Sequence, residues 1–495
     1  MVLLLMLHCR NSMSKETKEG YELAKIYCQS CHQFPEPDLL NKKTWSAFVL
    51  PKMGSFLGFR HFETGGYVEY GKEMMKLSQW NKIVDYYVSQ SPEFPVKKKT
   101  QVKIQAGLKQ FTVIIPAFTI KKPATTMVGI DSLRKRIFFG DGLTAYLYRL
   151  SQEFTVQDSF KTGKGISNLH LNGEQMMVLT MGILHPSDEK SGQLVSIEPD
   201  WKKSTVLLDH LQRPVDASYA DLNNDGLEDI IVCEFGNNTG QLSWFENKGT
   251  GILIKHILRD QPGAVKTAIY DFNKDGKPDI IAMMAQGDEG IFIYYNQGGG
   301  VFKEDRILKL PPSYGSNYFE LADINKDGHP DILATNGDNG DYPPILKAYH
   351  GIRIYMNDGY NRFTEKTFLP VNGAGKAMAR DFDGDGDLDI ASIAYFPDYE
   401  HTPEEGFIYW ENKGGSFKPS TFPQGTAGRW LTMDAADIDG DGDIDIVLGN
   451  TFFPLGYIPE SLKKKWERYT PSILVLKNKM KKEYVETPKD FNNTK

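Results

Sequence analysis

The sequence repeats one nine-residue pattern five times, and that repetition limits the possible folds more than any other feature. The copies are Asp221-x-Asn223-x-Asp225-Gly226-x-x-Asp229, Asp271-x-Asn273-x-Asp275-Gly276-x-x-Asp279, Asp323-x-Asn325-x-Asp327-Gly328-x-x-Asp331, Asp381-x-Asp383-x-Asp385-Gly386-x-x-Asp389 and Asp437-x-Asp439-x-Asp441-Gly442-x-x-Asp445. They begin 50, 52, 58 and 56 residues apart, the spacing of a supersecondary unit stacked on copies of itself. Side-chain oxygens at positions 1, 3, 5 and 9 wrap a hard dication, with Gly at position 6 for the tight turn. Position 7 adds a backbone carbonyl, here from Leu227, Lys277, His329, Asp387 and Asp443. Calcium is the expected occupant, about five ions per chain, because an empty turn would crowd three or four carboxylates together.

An EF-hand would need flanking helices and a Glu at position 12, where the chain has Val232, Ala282, Ala334, Ser392 and Leu448. The flanks read instead as strands, such as Asp229-Ile-Ile-Val and Asp279-Ile-Ile-Ala. Each unit continues with an aromatic strand ending in Asn, such as Leu242 to Asn247 and Ile291 to Asn296, and then a further strand. Four strands in ~50 residues are the size of a propeller blade. Upstream, Met127 to Leu150 and Ile166 to Ile197 keep the strand rhythm while their turns, Asp131-Ser-Leu-Arg and Leu171-Asn-Gly-Glu, lack the ligands. Counting these gives seven blades and a mostly β protein. The motifs resemble the FG-GAP/VCBS repeats that build integrin α-subunit propellers, over residues 125–487, with a tail at 488–495. The resemblance implies fold and calcium but leaves function open, since adhesins, lyases and receptors share it.

Two of the four cysteines stand in Cys28-Gln29-Ser30-Cys31-His32, the C-x-x-C-H spacing that attaches one covalent c-type haem through two thiols and places an imidazole on the iron. A helical pattern through Gly20, Tyr21, Leu23, Ala24 and Tyr27 runs into the motif, and Leu77, Trp80, Ile83, Val84 and Tyr87 form a second amphipathic helix. Residues 15–95 thus resemble a small all-α class I cytochrome c domain, followed by a linker and lead-in strand at 96–124. Such a domain usually supplies a Met as sixth ligand. Met53 is the choice, because Pro51 and Gly54 flank it as in an extended ligand loop, with His61, Met74 and Met75 as competitors. Haem is attached to this motif outside the cytoplasm, and residues 1–14 read as the remnant of an export signal in which Cys9 is lipidated. The expected location is the periplasm, or the outer membrane as a lipoprotein, of a Gram-negative bacterium.

The formal charge of −7 argues against a nucleic-acid partner, yet 17 of the 64 acidic residues belong to the metal loops, and five calcium ions would turn −7 into +3. The connections after the second strand of several blades are long, at 337–350, 395–406 and 451–471, and insertions on one face of a repeat array mark a working face. They carry Tyr342, His350, Tyr395, Tyr399, His401, Tyr457 and Trp466. Near the starts of the inner strands lie Arg213, Lys266, Lys376 and Arg429, which suits an anionic ligand at the mouth of the central channel. Lys463 to Lys465 reads as a solvated loop and Cys233 as buried packing. No phosphate loop, nucleophile turn or zinc spacing accompanies these residues. The expectation is an exported, lipid-anchored haem electron-transfer protein whose calcium-stabilised propeller binds a redox partner protein or a glycan. The alternatives are a haem-linked oxidoreductase acting on a sugar-like substrate such as an acidic sugar, and a glycan-binding, adhesion or polysaccharide-lyase module.

Overall fold

The computed structural model describes residues 13–30, 32–62, 65–72, 74–96, 103–340, 345–453 and 456–480. The chain divides into two compact units, one formed chiefly by residues 1–97 and the other by the chain that follows.

In the amino-terminal unit the helix Lys15–Cys28 starts at Ser14, whose hydroxyl accepts the N–H of Thr17 at 3.1 Å. Its buried face is Gly20 and Ala24. A Cβ on Gly20 would lie 2.2 Å from the Lys82 carbonyl oxygen and 2.9 Å from Tyr86 Cβ, so the helix Leu77–Gln90 crosses it at backbone contact. Glu19 and Lys82 close the crossing with an ion pair of 2.6 Å. Between them a helical stretch runs from Lys42 to Phe56, with a π turn at Trp45–Val49. Trp45, Phe59, Trp80, Ile83, Tyr86 and Tyr87 fill the core.

The larger unit is a seven-bladed β-propeller. Its blades are antiparallel four-stranded sheets within residues 125–161, 165–211, 214–259, 264–309, 316–370, 374–421 and 430–478. The last blade takes its outermost strand from Phe111–Ile114, which pairs with Ile473–Asn478 in the register Phe111↔Asn478. Gln105–Ala106 adds in parallel to the edge of the sixth blade. Residues expected to be linker and lead-in therefore belong to the propeller sheets. This pairing joins the start of the propeller chain to its last blade and covers the edge of Ile473–Asn478. Second strands such as Asp229–Glu234 and Asp279–Met284 are buried along their whole length, which accounts for their unbroken apolar runs. Neighbouring blades share cores: Ile231, Leu242 and Trp244 pack with Ile280, Ala282 and Phe292, and Cys233 is buried among them. Among the described residues no helix is long and apolar enough to cross a membrane.

Candidate functional site

Each acidic loop joins the innermost strand of its blade to the second, so all five lie at one rim of the propeller. The backbone already forms the wrap. Asp221 accepts the N–H groups of Asp225 (3.1 Å) and Gly226 (2.8 Å), and Asp225 accepts that of Leu227 (2.9 Å). The loops starting at Asp271 and Asp323 repeat the arrangement, and those starting at Asp381 and Asp437 vary it slightly. Position 6 has φ between 83° and 95° in all five, a left-handed conformation that selects Gly. Oxygens of Asp381, Asp383 and Asp385 lie within 4.8 Å of one another, as do those of Asp437, Asp439 and Asp441. Lysines reach into both clusters: Lys413 lies 3.6 Å from Asp383, and Lys477 bonds Asp439. An all-oxygen donor set on a preformed turn fits calcium, with positions 1, 3 and 5 and the carbonyl at 7 available to hold it. In the first two blades, whose turns lack the acidic pattern, Arg136 pairs with Asp131 at 2.8 Å and with Glu174 at 3.1 Å.

The position-9 carboxylate has a further structural task that the motif does not announce. Asp229, Asp279, Asp331, Asp389 and Asp445 are fully buried. In each, one oxygen accepts the N–H of loop position 2 and the other that of the Asn ending the third strand. For Asp279 these donors are Phe272 at 2.9 Å and Asn296 at 2.7 Å. The Asn amides then bond onward: Asn296 donates to Leu222 O of the preceding blade at 2.8 Å, and Asn478 to Phe382 O at 2.7 Å. Burial pushes Asp389 and Asp445 up to about 6 against the pull of those backbone donors.

At the opposite rim a cavity of 630 Å³ opens on the channel. Every innermost strand has a β-bulge near its start, and the residues that follow the bulges form a ring. The ring is Met127, Asn168, Asp216, Lys266, Tyr318, Lys376 and Thr432, all of which line the cavity. A bulge re-aims the side chain beside it, which explains one lining residue per blade. Asn168 donates to Asp216 at 3.0 Å, and Lys266 bonds the same carboxylate at 3.0 Å. Tyr318 lies between the two lysines, its ring centre 5.9 Å from Lys266 Nζ and 4.7 Å from Lys376 Nζ.

Of the residues expected on the ligand face, Arg213, Lys266, Lys376 and Tyr395 line this cavity. Arg429 does not join them. It is 2% exposed, its guanidinium bonds the carbonyls of Tyr395 (2.8 Å) and Phe453 (3.0 Å), and it stacks 3.7 Å from the Tyr395 ring, so it clamps two loops together. His350, Tyr399 and Trp466 are also buried, with Trp466 donating to the Thr426 carbonyl at 3.0 Å. His401 lies on the surface against Asp398, and Tyr457 is 62% exposed. Tyr342 lies outside the described residues. Lys463 to Lys465 belong to a helix, Glu460–Arg468, anchored by Trp466, rather than to a loop.

In the amino-terminal unit Cys28 ends the first helix and His32 follows it, with Nδ1 2.8 Å from the Gln33 carbonyl. Cys31 and Cys9 lie outside the described residues. Met53 does not sit in an extended loop, because Leu50–Phe56 is helical and continues the stretch that begins at Lys42, with Pro51 just after the π turn. Gly54 is there for contact: a Cβ on it would come within 3.2 Å of the Trp80 and Tyr67 rings. The Trp80 indole N–H is fully buried and has no partner among the described residues.

Residues 221–282, 271–334 and 381–448 match the FG-GAP-like repeat. Human integrin alpha-6 is 26% identical over 200 residues, covering 34% of this chain and 17% of that protein. A T-cell immunomodulatory protein homolog of Plasmodium falciparum (isolate 3D7) is 30% identical over 140 residues, covering 25% of this chain and 18% of that protein. Mouse cartilage acidic protein 1 is 29% identical over 173 residues, covering 32% and 25%. The chain spans less than a fifth of the length of the first two relatives. The propeller carries FG-GAP-like repeats of the kind found in integrin alpha chains.

Proposed function

We propose that the protein is an exported electron-transfer protein, in which the amino-terminal unit holds one c-type haem and the propeller, braced by calcium, binds a partner protein or a glycan. The observation that carries this reading is the C-x-x-C-H motif at the end of a helix that crosses the last helix of its unit at backbone contact through Gly20. Cys28 and Cys31 would hold the haem covalently and His32 would ligate its iron, with Met53 as the sixth ligand. Bound there, the haem supplies one-electron transfer. One feature of the unit suits a large apolar group: Ile26, Phe56, Phe62 and Met74 are exposed apolar side chains. A location outside the cytoplasm follows from the motif's need for attachment there, and anchoring through Cys9 rests on the export-signal pattern of residues 1–14.

Maturing the full chain with haem-attachment machinery tests this. A haem that survives denaturation and is lost in Cys28→Ala and Cys31→Ala supports the reading, and a chain that takes up none defeats it. Carbon monoxide binding to the reduced protein would sink the Met53 assignment.

A second reading, that the chain is a glycan-binding or adhesion module, is favoured by the cavity at the propeller mouth with its mixture of polar and aromatic walls. Glycan binding without any reducible haem would select it.

A further inference from the structure

The cavity at the propeller mouth, at 630 Å³, falls within the range of about 300–1,000 Å³ usual for small-ligand sites. Its lining carries Arg213, Lys266 and Lys376 against Asp216 and Asp338. Lys266 is paired with Asp216, whose carboxylate also accepts N–H groups from Asn168 and Thr267. Two residues further along their strands, Glu320 pairs with Arg380, and Asp434 accepts the N–H groups of Ile130 and Ala435 at 2.9 Å each. Arg213 donates to the Leu184 carbonyl at 3.1 Å. Among the described residues Lys376 makes no hydrogen bond or ion pair of its own, and its Nζ lies over the Tyr318 ring. A cation withdrawn from water on a cavity wall gains from an anion brought against it.

The neutral groups nearby describe the rest of such an anion. Asn168 and Asn317 each use an N–H, on Asp216 and on the Ala374 carbonyl, at 3.0 Å. Their side-chain carbonyl oxygens have no partner among the described residues and so accept from hydroxyls. Phe396 and Phe453 give the cavity apolar faces suited to the C–H faces of a pyranose ring. A single unpaired ammonium, without an arginine fork or a nest of amides, matches one carboxylate better than a doubly charged phosphate.

We propose that this cavity binds a sugar acid, its carboxylate against Lys376 and its hydroxyls donating to Asn168 and Asn317. The inference rests on the reading that the propeller is the binding part of the molecule, and it narrows that reading to a ligand class.

Calorimetric titration of the full, calcium-loaded chain with D-galacturonate and D-glucuronate, against galactose and glucose, tests it. The uronates should bind at least tenfold more tightly than the neutral sugars. Lys376→Met should remove that preference, and Lys376→Arg should restore part of it. The melting curve of each variant checks that it is folded. A trigalacturonate that binds as well as the monomer points to a polysaccharide end, and binding of the monomer alone points to a free sugar acid; both support the site. Equal binding of charged and neutral sugars, no binding of any probe, tighter binding of inorganic phosphate than of uronate, or full uronate binding by folded Lys376→Met would overturn it. The same preparation separates the two claims. Uronate binding by a chain without haem defeats only the electron-transfer reading, and a haem-loaded chain that ignores every sugar acid defeats only this inference.

Discussion

Burial lowers the pKa of Lys376 and nearby Lys266 adds to the effect, while Asp434, Glu320 and Asp216 oppose it. The folded protein therefore holds this proton less tightly than the unfolded chain does. A depressed lysine penalises folding below its folded pKa, and the penalty fades as pH rises towards the free value of about 10.4. Lys376→Met in the ligand-free protein should raise stability at pH 7 and lose part of that gain by pH 10. Thermal melts at the two pH values check this, and equal gains at both would contradict it. Asp271 and Asp279 offer a sharper contrast within one loop. Asp279→Ala strands two buried N–H groups, at a cost of about 1–3 kcal/mol each, with or without calcium. Asp271→Asn keeps an acceptor for Gly276 and should weaken calcium binding while changing calcium-free stability little. The sequence displayed both aspartates as one motif. It could not separate their tasks, because one partner of Asp279, Asn296, comes from a strand 17 residues away. Arg429 was misleading for a related reason: its spacing matches that of Arg213, but two loop carbonyls and an aromatic ring draw it inward.

The strands and their order were legible because Asp-Gly turns and aromatic runs recur at a blade's spacing. The bulges were not, since they arise from how two strands pair and leave no residue signature. They nonetheless decide which seven side chains meet at the mouth. The closing strand Phe111–Ile114 was hidden likewise, being short and separated by more than 350 residues of sequence from its partner Ile473–Asn478. Deleting residues up to 115 should bare that edge, lower the melting temperature of the propeller and promote aggregation, as light scattering on heating would register. An unchanged melt would mean the pairing contributes little. In the amino-terminal unit the helix crossing depends on Gly20. Gly20→Val forces a side chain against the Lys82 carbonyl and should cost about 1–3 kcal/mol, measured as loss of far-ultraviolet helix signal at lower denaturant. Helix periodicity revealed both partners, but Met53 was read as loop because Pro and Gly also open and crowd helices.

Over the whole molecule, the five acidic loops lie along one rim of a ring whose other rim opens on the cavity, while the C-x-x-C-H motif belongs to a separate compact unit. Calcium should therefore govern the propeller and leave the haem unit alone, since ion binding to the folded loops stabilises only what those loops hold. The most direct measurement is a pair of heating curves on the haem-matured chain, with and without a calcium chelator, followed at the haem bands and by tryptophan fluorescence. The account predicts that chelation lowers the fluorescence transition and leaves the haem transition where it was; coincident curves with and without chelator would contradict it.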